Sequence, residues 1–61
     1  MAHEKLIAEL RKEVEMYKDS LAFWEQQPES QVPGFSVALQ RQKLKDDIAE
    51  NEKAIAILEG E

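Results

Sequence analysis

Cysteine is absent from these 61 residues, and histidine occurs once, at His3. A chain without thiols forms no disulfide and offers no thiolate to a metal. A single imidazole cannot complete a zinc site of the usual composition, so no metal or other cofactor is expected. Apolar residues never run on toward the roughly 18 that a membrane span requires, and Met1-Ala2-His3-Glu4-Lys5 lacks the apolar stretch of a signal peptide. The resulting expectation is a soluble, cytoplasmic protein with no membrane partner. Positive charge is also scarce: 8 Lys and Arg stand against 13 Asp and Glu, a net charge of −5. A general nucleic-acid binder carries a basic face, and an anionic bilayer attracts basic segments, so both are unlikely partners.

Proline and glycine number two each, at Pro28, Pro33, Gly34 and Gly60. They interrupt the chain in the middle and at its end and leave two long stretches uninterrupted. Both stretches are rich in Glu, Lys, Leu, Ala and Arg, which favour helix. In the first, Ile7, Leu10, Val14, Tyr17, Leu21 and Trp24 recur at alternating intervals of three and four, the mark of one helical face. In the second, Val37, Arg41, Leu44, Ile48, Asn51, Ile55 and Leu58 do the same. The spacing predicts helix 1 over about 3–27, a loop over 28–36 and helix 2 over about 37–59.

The loop carries its own punctuation. Pro28 lacks an amide proton and biases Gln27 away from helical dihedrals, so helix 1 should stop there. Pro33-Gly34 suits the central pair of a type II turn, whose third residue needs positive φ. Ser36 is placed to cap helix 2, although Leu39 stands where a capping box would put Glu or Gln. Gly60 is expected to close helix 2 in the left-handed conformation.

Reversing the chain between Val32 and Pro33 brings the stripes together in one register. Leu21 faces Leu44, Tyr17 faces Ile48, Val14 faces Asn51, Leu10 faces Ile55 and Ile7 faces Leu58. The fold class is therefore all-α, an antiparallel two-helix hairpin with a coiled-coil-like seam. Two helices enclose a seam rather than a core, and a chain of this size buries little more than half its surface. With disulfides and metals excluded, oligomerisation is the remaining compensation. The expected partner is a second copy, in a homodimer or higher oligomer that forms a four-helix bundle.

Two layers break the apolar rule. Asn51 opposite Val14 is a candidate device for fixing register or oligomer state by pairing with its symmetry mate; a water-filled gap in the seam is the plainer alternative. Arg41 falls opposite Trp24, where a guanidinium could stack on the indole and close the loop end, or form an interface hot spot. Met16 and Phe23 lie beside the main stripe of helix 1, and Ile57 widens that of helix 2. With Trp24, Phe35 and Arg41 they form the candidate partner or oligomer surface.

Helix 2 has Arg41, Lys43 and Lys45 early and Asp46, Asp47, Glu50 and Glu52 later. That order opposes the helix dipole, and Glu25 and Glu29 are close enough in sequence to compensate. His3, at a fraying end, reads as a solvated side chain.

No catalytic constellation is present. Ser20, Ser30 and Ser36 lack a nearby base, and adjacent Asp46 and Asp47 point about 100° apart on a helix. The chain is expected to be no enzyme but a small oligomeric protein–protein interaction module, an adaptor, scaffold or inhibitor that binds another protein. The alternative is a nucleic-acid-linked regulator: a homodimeric hairpin that binds RNA or DNA, or an acidic inhibitor that mimics nucleic acid. Plan and length are similar to small homodimeric RNA-binding hairpin regulators, a likeness of architecture carried by no residue motif.

Overall fold

The computed structural model describes residues 2–61. Two helices, α1 (Glu4–Glu25) and α2 (Val37–Glu59), pack against each other, and the described residues form no strand. The hairpin is a narrow rod of 48 × 15 × 13 Å. Ile7, Val14, Val37, Leu44 and Ile55 are its buried side chains. Ile7, Val14 and Ile55 form one cluster, with Leu10, Ile48 and Leu58 packed against it. Tyr17, Leu21 and Trp24 are half-buried along the same seam.

Polar contacts across the seam index its register independently of the apolar stripe. Arg41 reaches Trp24, Asn51 reaches Glu13 and His3 reaches Glu61. These three lie within one residue of the pairing that the stripes predict, whereas the Arg11–Glu59 pair is displaced from it by five.

The segment between the helices is ordered by local chemistry. Glu29 Oε1 accepts from Ser30 N at 2.8 Å, and Ser30 Oγ accepts from Val32 N at 3.0 Å. The amide of Phe35 then donates to Val32 O at 3.2 Å, closing a turn with Pro33-Gly34 at its centre. Gly34 has φ +81°, which only glycine adopts without strain.

Three details differ from the sequence-based expectation. Helix α1 stops at Glu25, two residues early: Gln26 N and Gln27 N donate to Phe23 O and Trp24 O, tightening the last turn before Pro28 intervenes. Gly60 is right-handed, with φ −79° and ψ −11°. Its amide continues the helical ladder to Ala56 and Ile57 carbonyls, so no left-handed reversal is made. His3 is also not simply solvated, because its Nε2 lies 2.7 Å from Glu61 Oε2. It caps α1 at φ 66° with no side-chain hydrogen bond to the first turn, an αL conformation more common in His than in bulky residues.

Candidate interaction surface

The start of α2 needs three acceptors for amides that have no carbonyl one turn earlier. Ser36 Oγ accepts from Leu39 N at 3.2 Å. Glu29, from the loop, takes the other two: Oε1 accepts from Val37 N at 2.7 Å and Oε2 from Ala38 N at 3.1 Å. The Ser36 hydroxyl also donates to Glu29 Oε2 at 3.4 Å. The carboxylate therefore covers the two first-turn amides that Ser36 leaves open, and its charge sits at the positive end of the helix dipole. The backbone amide of Val37, then those of Ser30 and Ala38, hold the Glu29 carboxyl below its ordinary value of 4.5.

Arg41 supplies the matching closure for α1. Its Nε donates to Trp24 O at 3.0 Å and its Nη2 to Gln27 O at 2.7 Å. The expected guanidinium–indole stack gives way to these bonds. Carbonyls at a helix C-terminus keep a lone pair to accept with and carry partial negative charge, so they compete well for a cation. The indole packs instead between aromatic rings: Phe23 meets it edge-on at 5.3 Å, and Phe35 lies 5.7 Å away at a tilt of 50°. Phe23 and Phe35 both remain exposed, as do Met16 and Ile57. Trp24 and Arg41 are half-buried.

Helical phase had not marked Leu39, Val32 and Leu6, yet all three are exposed. Leu39 lies in the first turn of α2 and is 72% exposed. Its signal was available, since a leucine in the first turn of a capped helix has no partner helix on its outer side.

The two flanks of the seam differ. Asn51 Nδ2 donates to Glu13 Oε2 at 2.9 Å on one flank. Arg11 pairs with Glu59 on the other, in place of the Arg11–Glu52 pair suggested by the register. That flank holds a groove of about 360 Å³ with Val14, Ile55 and Ala56 among its lining and Arg11, Glu15, Lys18, Glu52 and Glu59 around it.

Among the described residues no cluster of His, Cys, Asp or Glu is placed to hold a metal ion, and no helix is long and apolar enough to cross a membrane. Comparison with protein families, with curated proteins and with solved structures found no match.

Proposed function

We propose that this hairpin is a non-enzymatic protein–protein interaction module that first assembles with itself into a four-helix bundle. The observation that carries this reading is surface area. A folded chain of 7.0 kDa is expected to expose about 4,000 Å², whereas this one exposes 4783 Å². The surplus, roughly 700 Å², is close to the about 800 Å² that each partner contributes to a standard interface. The radius of gyration agrees: it is 14.4 Å, against about 10–11 Å for a compact domain of this length.

Self-assembly leaves the loop end free to serve as an adaptor, scaffold or inhibitor surface. There Phe23 and Phe35 present apolar area around a half-buried Trp24. Aromatic side chains of this kind anchor protein interfaces. The nucleic-acid alternative draws less support. Arg41, one of its three basic residues, is committed to the Trp24 and Gln27 carbonyls, and the net charge is −5.

Sedimentation equilibrium at micromolar concentration tests the reading and should give a mass of at least two chains. A stably folded monomer would overturn it. Titration with labelled RNA and DNA oligonucleotides at low salt should give no binding, because a phosphate-driven contact would be strongest there.

A further inference from the structure

We infer that the second copy packs on the Glu13–Asn51 flank, with both hairpins parallel and α1 of one lying on α2 of the other. This rests on the self-assembly reading and adds the face and the orientation.

The face follows from what each flank has left to bury. Residues 11 and 13 point about 160° apart on a helix, so the Arg11–Glu59 and Glu13–Asn51 contacts mark opposite sides of the seam. On the Arg11 side the main apolar residues, Val14 and Ile55, are already only 5% and 8% exposed, and five charged residues surround them. A partner there would strip water from charges and gain little apolar contact. The Glu13 side is different. Leu6, Leu10 and Tyr17 share the strip of Glu13 on α1, and Ala54 and Leu58 share that of Asn51 on α2, all at helical spacings of three, four or seven. Leu6 is 46% exposed, and the other four are half-buried. The surplus of area that a second copy would remove therefore has an apolar strip on this flank to come from.

The orientation follows from the order of layers along that strip. Glu13 lies level with Asn51 and His3 with Glu61. By the same offset Leu6 is level with Leu58, Leu10 with Ala54, and Tyr17 with the half-buried Asp47. A two-fold axis along the rod sets α1 of one copy on α2 of the other at equal heights. Leucine then meets leucine at the open end, and Leu10 meets the second copy's alanine. The second hydrogen of the Asn51 amide reaches the second copy's Glu13, and the Tyr17 hydroxyl can donate to the second copy's Asp47. Each acidic side chain has a donor. A two-fold axis across the rod instead sets Glu13 beside leucine and Asp47 against Leu58, leaving carboxylates on apolar surface, which is costly.

Three measurements separate the possibilities. Sedimentation of the native chain should give a dimer; a folded monomer overturns both the reading and this inference. Leu6→Glu, with helicity checked by circular dichroism, should weaken the dimer by roughly tenfold or more, while Ala56→Glu on the groove side should leave it unchanged. The reverse pattern overturns the choice of face and leaves self-assembly standing. Because the chain has no cysteine, a spin label at Gln31→Cys, in the exposed loop, reports orientation without touching either flank. Parallel hairpins place the two labels within about 20–25 Å, two helix diameters. A separation near the 48 Å length of the rod would overturn the parallel arrangement and leave the dimer intact.

Discussion

At the loop end the bonds that close the hairpin run to backbone groups: Glu29 accepts from the first amides of α2, and Arg41 donates to the Trp24 carbonyl in the last turn of α1 and to the Gln27 carbonyl just beyond it. At the open end side chain meets side chain, His3 with Glu61 and Arg11 with Glu59. The difference matters because helix termini leave polar groups that have no other internal partner. Satisfying them from another element ties that element to the helix end. An exposed ion pair spends side-chain entropy on a contact that water and salt weaken, and contributes about 0–1 kcal/mol. The loop end is therefore the anchored end, and the open end holds through Ile7, Leu58 and the Ile55 cluster rather than through its charges.

The largest expected effect lies in the seam that both ends share. Ile55→Asp places a carboxylate in the buried cluster and should abolish helical circular dichroism; even Ile55→Ala should cost about 2–5 kcal/mol. Lys12→Asp, on the exposed face, is the silent control. Arg41→Ala comes next. It removes two hydrogen bonds from a charged donor, each contributing at most about 1.5–3 kcal/mol net and less at this half-exposed site. Amide exchange should accelerate in the last turn of α1, ahead of the rest of the helix. Equal acceleration along both helices would break the idea of a separately anchored end.

Gly34→Ala sharpens the same contrast. A Cβ there meets nothing within 4 Å, so the expected loss of about 1–2 kcal/mol is backbone strain at φ +81° alone. Gly60→Ala should be neutral or slightly stabilising, since its φ is right-handed and its Cβ contacts are ordinary. Thermal melts of the two variants provide the comparison.

Acid should loosen the loop end. The carboxyl of Glu29 has its folded value below the ordinary 4.5. Its contribution is thus present in full above 4.5 and is lost as pH falls through the lowered folded value. Glu29→Gln should flatten that acid limb of stability, read by the midpoint of thermal unfolding between about pH 6 and pH 3. The smallest effect belongs to Arg11→Ala, at most about 1 kcal/mol and fading with added salt. A larger loss would show the open end to be anchored as firmly as the loop.

The helices, the antiparallel packing and the turn at Pro33-Gly34 were legible because each follows from short-range rules. Periodicity of three and four sets an apolar face, proline and glycine limit dihedrals, and Ser36 lies three residues before the amide that it accepts. Glu29 was legible only as a charge near a helix start in need of one. Nothing local says that both of its oxygens turn onto Val37 and Ala38. Arg41 and Asn51 were visible as exceptions in the stripe, but their partners were not. Backbone carbonyls outcompeted the indole for Arg41, and Glu13, outside the apolar stripe, answered Asn51. A polar side chain's choice depends on which groups remain unsatisfied after the backbone has folded, and pattern along one helix does not contain that.

The sequence by itself determined two helices, their apolar faces and a single register, because those depend on spacing and on the dihedral limits of a few residues. Only the tertiary structure decided how the ends are closed and that the two flanks differ in what they leave exposed. Those outcomes are set by long side chains reaching across the seam to groups eight to almost sixty residues away in the chain. Their energies are fixed by distance and burial rather than by order in sequence.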